Sequence, residues 1–354
     1  QPLLPFVDKI ISYLDLLVVS IAADIVPITG ENRILAHYGL QQLNENPRIG
    51  LKALMEVSDR DKSFTISDVV FGLAPRINAA GRIEHGAKAV ELMVQEDIEL
   101  AREKAQAINQ HNLKRRELDQ SITEEALQMI VTDAKSTVVF HPDWHKGVVG
   151  IVASRLLESY YRPTIVLTEN NGKLAGSARS VNGFDVYDAI DACSEYVEQF
   201  GGHKYAAGLT LKKENLEVFT AKFESIVADT IKEEMLIPQV SIDAVLNISD
   251  IDHKLYRIFK QMAPFGPGNM SPIFMSKQVV DRGYGRKIGK EQTHLKLNVT
   301  DTNRSQFLDC IGFGMADKFE LIKGGQQFDI AYALEENEWN GNVNLQLRLK
   351  DIRI

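Results

Sequence analysis

Three short stretches of this chain carry residue types that bind anions. The first is Gly201-Gly202-His203-Lys204-Tyr205-Ala206-Ala207-Gly208. Its adjacent glycines reach φ > 0 without a Cβ penalty and let backbone approach a ligand closely; an imidazole and an ammonium follow at once. The second, Gly176-Ser177-Ala178-Arg179-Ser180, sets two hydroxyls and a guanidinium among small residues. The third, His141-Pro142-Asp143-Trp144-His145-Lys146-Gly147, stands directly ahead of a helical stretch, and a helix start offers free N–H groups and a positive dipole end. Singly, each also reads as a plain turn; GGHKYAAG could be a Gly-Gly turn before a buried strand, with His203 on the surface. Together they favour a phosphate or phosphodiester site over that reading. A zinc site from His141, His145 and His203 is set aside, because the i, i+4 pair suits a metal only on a helix and Pro142 opposes one.

Other polar residues stand in telling places. Arg76, Asn78 and Arg82 lie among Ala79, Ala80 and Gly81; paired guanidiniums suit phosphate, since Arg offers a planar fork, although solvated arginines at a helix start would look the same. Asp24 ends the apolar run Leu14 to Ala23, which reads either as a buried parallel strand or as a buried helix. It is a candidate metal ligand if it emerges from a strand, or else a cap of the next turn.

These residues must be held by elements. Residues 32–56 predict two short helices broken near Pro47 and Gly50. Residues 97–131 predict one long helix with an i, i+4 stripe of Leu118, Ile122, Ala126 and Ile130; its Asn109, Asn112, Arg115 and Arg116 form a polar side, either merely solvated or the basic face of a connector. Residues 136–235 alternate strand and helix as one α/β domain. From about residue 238 the period turns to two, with Val343, Leu345, Leu347 and Leu349 on one side of a strand, and a small closed barrel is expected. The turn DRGYGRKIGK adds Arg282, Tyr284, Arg286, Lys287 and Lys290, which is a solvated hairpin or a strand-binding patch.

A chain of 354 residues that is 44% apolar can bury real cores in two or three domains. No apolar run is long enough to span a bilayer and no secretory leader is evident, so no membrane partner is expected. Two distant cysteines fit a reducing cytoplasm. The formal net charge of −8 opposes bulk attraction to nucleic acid but not a local basic groove. The opening QPLLPFVD lacks Met, and we expect the interior of a longer protein.

The segments SIAADIVPI, APRINAAGRI, HPDWHKGVVGIVASRL, GSARS, GGHKYAAG and APFGPGNMSPIF, in this order and spacing, resemble the RecJ exonucleases of the DHH phosphoesterase superfamily over essentially the whole chain. Met270-Ser271 departs from the family's PFGxGNPxP loop. The resemblance implies an α/β chain in four parts: the C-terminal remnant of a DHH domain (1–60), a helical connector (61–132), a DHH-associated domain (133–236) and an OB-fold-like barrel (237–354). It implies 5′→3′ hydrolysis of single-stranded DNA in recombination and repair, with two Mn²⁺ or Mg²⁺ ions. Asp24 matches a metal-ligand position. Arg76, Asn78, Arg82, Arg116, Ser177, Arg179, Gly201, Gly202 and His203 match strand- or phosphate-binding positions, and His145 would polarise or position the phosphate. Single-strand-binding protein and a helicase are implied partners. The family's DxD and DHH motifs have no counterpart here. Asp59-Arg60-Asp61 and Asp250-Ile251-Asp252-His253 are look-alikes in the wrong order, so the chain alone is expected to be inactive or nearly so. Two rivals remain: a non-catalytic single-strand-binding module, and a DHH oligoribonuclease or cyclic-dinucleotide phosphodiesterase. The β-rich 238–354 speaks against the latter.

Overall fold

The computed structural model describes residues 9–58, 60, 62–83, 85–304, 306–339 and 341–354. The look-alike carboxylates Asp59 and Asp61 lie outside the described residues. By contacts the described chain forms two compact units, with one boundary after Pro238. One compact unit joins the N-terminal segment ending at Glu45 with Ser63–Val69 and Gln239–Ile354; the other holds Asn46–Lys62 and Val70–Pro238.

In the first unit, the apolar run is a helix, α1 (Leu14–Ala23), followed by α2 (Gly30–Glu45). A Cβ at Gly39 would stand 2.6 Å from Leu14 O and 2.7 Å from Val18 Cβ. Glycine is therefore what lets α1 and α2 pack backbone to side chain. Asp24 is exposed at the C-terminal end of α1, not at a strand end. The next residue, Ile25, has φ 54°, a left-handed turn that is costly for a β-branched side chain. The turn is clasped by the glycine-rich loop. Pro267 O accepts from Ile28 N–H at 2.6 Å, Arg33 Nη2 donates to Met262 O at 2.9 Å, and Asn269 Nδ2 holds the loop through Met262 O and Pro264 O.

The rest of this unit is the barrel. Its strands are β6 (Ala244–Val245), β7 (Phe274–Asp281), β8 (Arg286–Ile288), β9 (His294–Thr300), β10 (Leu308–Gly312), β11 (Phe328–Trp339) and β12 (Asn342–Arg353), numbered after the five strands of the second unit. The sheet order β6-β7-β11-β12-β10-β9-β8 closes through an added β7–β9 pairing, giving five strands in a ring, as in OB-folds. Leu345, Leu347 and Leu349 turn inward while Val343 is exposed. Fully buried Phe328 and Tyr332 fill the centre, each contributing about 2 kcal/mol or more by area removed from water. The Tyr332 hydroxyl is paired with Ser276 Oγ at 2.9 Å. The look-alike carboxylates here are caps: Asp250 closes a capping box with Asn247, and Asp252 accepts from Leu255 N–H ahead of α10 (His253–Lys260).

The second unit opens with α3 (Ile49–Glu56), α4 (Ala74–Ile83), α5 (Ala87–Met93) and the 31-residue α6 (Ile98–Gln128), whose start Asp97 caps through Glu99 and Leu100 N–H. A sheet follows in the order β1-β2-β3-β5-β4, from β1 (Thr137–Phe140), β2 (Thr164–Asn170), β3 (Lys173–Arg179), β4 (Val197–His203) and β5 (Ala206–Leu211). Only β1 and β2 are parallel, and α7 (Val149–Ser159) makes their crossover. One face is covered by α6 and α7, with Ile122, Ala126, Val152 and Val166 at the contact. The other is covered by α8 (Val186–Asp191) and α9 (Leu216–Thr230), with Ile165, Leu209, Phe219 and Phe223. This is the α/β domain expected, its sheet covered by helices on both faces except over exposed residues of β4 and β5, among them Gly201, Gly202, His203, Ala206 and Gly208.

Candidate functional site

GGHKYAAG is not a loop ahead of a strand. Gly201, Gly202 and His203 end β4, Lys204 and Tyr205 form a two-residue turn, and Ala206 starts β5. Lys204 O and Tyr205 O accept from Val186 and Ser180 N–H at 3.0 and 3.1 Å, which fastens the hairpin tip to the segment after β3.

Register then brings the sequence-predicted residues into line. Ser177 pairs with Gly208, and Gly208 with Gly201; Arg179 pairs with Ala206, and Ala206 with His203. Alternation puts these six on one face. The intervening Ala178 and Ala207 turn into the core, 0% and 4% exposed. Two strand spacings, roughly 10 Å, separate β3 from β4, and only Ala206 and Gly208 lie between. The result is a shallow trough with Ser177 and Arg179 on one bank and His203 on the other. The two glycines of β4 differ. A Cβ at Gly201 would meet no atom within 4 Å, whereas at Gly202, with φ +153°, it would stand 2.3 Å from Ala206 O. Gly201 leaves the trough open; Gly202 is needed to close the hairpin.

The third stretch meets the first bank. α7 starts without a side-chain cap, and a Cβ at Gly150 in its first turn would lie 3.1 Å from both Arg179 Nη2 and Ser177 Oγ. Arg179 Nη1 donates to Ser177 Oγ and Ala178 O, each at 2.7 Å. His145 is exposed, and its Nδ1 accepts from Gly147 N–H at 3.1 Å; a neutral ring then carries its proton on Nε2. Trp144 is buried and donates to Glu125 at 2.8 Å, and its carbonyl accepts from Thr168 Oγ1 at 2.6 Å, so the loop is fixed at its centre. A helix start beside a guanidinium, across small residues from an imidazole, makes a positive trough fit for an anion.

The remaining predicted residues separate. Arg76 spends its donors internally, on Asn109 Oδ1, Gly72 O and Val57 O. Burial and the adjacent Arg116 push its pKa down. Asn78 and Arg116 are exposed; the side chain of Arg82 lies outside the described residues. The polar side expected of the long helix divides: Arg116 faces solvent, while Asn112 and Arg115 turn inward. Asn112 and Asp119 are buried, Arg115 bridges them, and Arg155 of α7 reaches Asp119 Oδ1 at 2.5 Å. Sequence reasoning missed Asp119, Arg155 and Gly150. The first was reachable: stepping back from Ile122 by threes and fours lands on Asp119, Arg115, Asn112 and Ile108.

Among the described residues no three His, Cys, Asp or Glu side chains converge as a metal requires. Asp24 is a lone exposed carboxylate, and the donor set here does not fit a divalent ion. In the barrel, Asp281 accepts from Gly283, Gly285 and Asn298 N–H. The basic turn is thereby built rather than loose. The Arg282 guanidinium lies 4.2 Å from the Phe307 ring centroid and 5.6 Å from that of Tyr284, beside a cavity of about 250 Å³ that Arg286, Lys296 and Asn298 also line.

Comparison with known proteins follows this layout. Residues 128–229 match the DHHA1 domain and residues 242–351 the RecJ OB domain. The single-stranded-DNA-specific exonuclease RecJ of Bacillus subtilis is 38% identical over 347 residues, 96% of this chain and 44% of that protein. Its Escherichia coli namesake is 31% identical over 363 residues, covering 98% and 62%. The crystal structure of RecJ in complex with Mn²⁺ from Thermus thermophilus superimposes with a TM-score of 0.86 at 27% identity, over 97% of this chain and 50% of that one. This chain thus spans about half the length of the relatives it matches, and over nearly its whole length it is similar to the RecJ exonucleases, sharing with them the DHHA1 domain, the RecJ OB domain and the fold.

Proposed function

We propose that this chain is the strand-gripping part of a 5′→3′ exonuclease that hydrolyses single-stranded DNA in recombination and repair. The observation that carries the reading is the lateral alignment of Ser177 and Arg179 with Gly208, Ala206, Gly201 and His203, with α7 starting beside Arg179. A terminal phosphate seated in that trough accepts from Arg179 and Ser177 on one bank and from His203 on the other. Charge-assisted bonds of this kind contribute about 1.5–3 kcal/mol each. His145, through Nε2–H, orients a phosphate oxygen, and the open backbone at Gly201 lets the strand end approach. The exposed Arg116 beside the half-buried Arg76 extends the positive surface for the following phosphates, with Asn78 and Arg82 on the same helix as Arg76. The barrel holds the strand through Arg282, Tyr284 and Phe307, where bases stack on aromatic and guanidinium planes.

Structures of relatives contain Mn²⁺ or Mg²⁺, and such ions would supply the activated water of the whole enzyme. We assign Asp24 to that centre as one carboxylate, which by itself holds no ion. The residues of this chain bind, orient and exclude wrong ends; they do not cut alone. A strand-degrading enzyme needs its strand unwound and exposed, which supports a helicase and a single-strand-binding protein as partners. No described helix is long and apolar enough to cross a membrane, and both cysteines are buried free thiols; these support a cytoplasmic location. The polarity is tested by blocking one end of an oligonucleotide with biotin–streptavidin. Blocking the 5′ end should abolish binding and blocking the 3′ end should spare it; the opposite pattern overturns the reading.

A further inference from the structure

The sheet of the second unit ends at β1, and its outer edge lies open at the floor of a groove. Thr137 N–H bonds Pro163 O and His141 N–H bonds Leu167 O, so odd-numbered residues face β2. Alternation turns the N–H and C=O of Val138 and Phe140 away from the sheet. Among the described residues no strand pairs with that edge. The groove holds about 480 Å³. One wall is apolar, formed after α6 by Met129, Ile130, Val131 and Ala134; the other is α9, with Leu216, Thr220 and Ala221 beside the carboxylates of Glu217 and Glu224. Glu224 already accepts from Lys135 and Ser136 N–H, whereas Glu217 is exposed on the rim.

We propose that this groove docks an extended peptide segment of a partner protein, added as a sixth strand on β1, in which apolar and basic residues alternate. Open main-chain groups at every second residue select an extended backbone over a helix or a lipid. Period-two alternation then sends one set of side chains to the Met129–Ala134 wall and the other to the acidic α9 wall. Charge complementarity with the exposed Glu217 on the rim makes the second set lysine or arginine. A second copy of this chain is disfavoured as occupant, since two-fold pairing of β1 would bring the Glu217 and Glu224 carboxylates of both copies together.

The test uses two fluorescein-labelled octapeptides of equal composition, one alternating Val and Lys, the other with four of each in blocks. Anisotropy against the 354-residue chain should show the alternating peptide binding about tenfold tighter, the sum of several cross-strand contacts. Glu217→Lys, at an exposed site, should weaken it about fivefold. Ala221→Trp, which fills the groove, should abolish binding. Hydrogen exchange at Val138 and Phe140 should slow when the peptide is bound. Equal affinity for the two peptides, or unchanged exchange at those two amides, would overturn the proposal. So would a dimer in sedimentation that Ala221→Trp dissociates, because the groove would then serve a second copy.

Discussion

Arg155 Nη2 lies 2.5 Å from Asp119 Oδ1, and the Asp119 side chain is fully buried. That ion pair joins α7, whose first turn borders Arg179, to α6, which carries Arg116. Asp119→Ala should leave Arg115 without its carboxylate partner, and Arg155, partly exposed, with only water. We expect a loss of about 2–3 kcal/mol, below the cost of breaking a fully buried pair, read as a shift of the urea midpoint. A loss under a few tenths would show the pair to be incidental.

Gly150 tests how closely α7 approaches the trough. Alanine there would stand 3.1 Å from Arg179 Nη2 and Ser177 Oγ, tighter than ordinary contact, so the guanidinium must move. Affinity for a 5′-phosphorylated oligonucleotide should fall about tenfold, the worth of one displaced charge-assisted bond, while the melting temperature changes little. Unchanged affinity would separate Arg179 from the phosphate.

The two adjacent glycines should behave oppositely. Gly202→Ala meets backbone at 2.3 Å in a left-handed conformation and should destabilise the hairpin by about 2 kcal/mol or more. Gly201→Ala meets nothing; it should fold normally and bind the strand end more weakly. Thermal melts paired with oligonucleotide titration distinguish the two, and equal effects would contradict the division of roles.

Much of this site was legible because its pieces are local. The long helix, the barrel strands and the three stretches rich in glycine, serine and histidine follow from period and turn chemistry within a few residues. The lateral register of Ser177, Gly208 and Gly201 was not, since it depends on which strands neighbour one another. Leu14–Ala23 was ambiguous for a physical reason: an element buried on several sides shows no period, and helix and strand look alike. The polar side of α6 looks solvated or basic in the sequence, yet Asn112 and Asp119 share the apolar stripe; Arg115 of the same helix bridges them, and the second partner of Asp119, Arg155, arrives only when α7 packs there. Gly150 gave no signal, because its constraint comes from side chains of another strand.

A pH test addresses the barrel. Desolvation raises the pKa of half-buried Glu335 above its usual value, and nearby Arg348 and Lys350 offset this in part. An acid whose folded pKa is raised favours the folded state when protonated, so its contribution is largest at low pH and is lost as pH rises through the carboxylate range. Glu335→Gln should therefore match the parent near pH 3 and exceed it in stability near pH 7. A constant difference across that range would mean that the carboxyl is not desolvated.

The central claim is that the trough between Arg179 and His203 holds a strand's terminal phosphate. The most direct measurement is the affinity of this chain for one single-stranded oligonucleotide carrying either a 5′-phosphate or a 5′-hydroxyl, for the parent and for Arg179→Ala. The parent should prefer the phosphate by about tenfold or more, and Arg179→Ala should erase the preference without lowering the melting temperature. Equal affinity of the parent for both ends, or a preference that survives Arg179→Ala, would contradict the assignment.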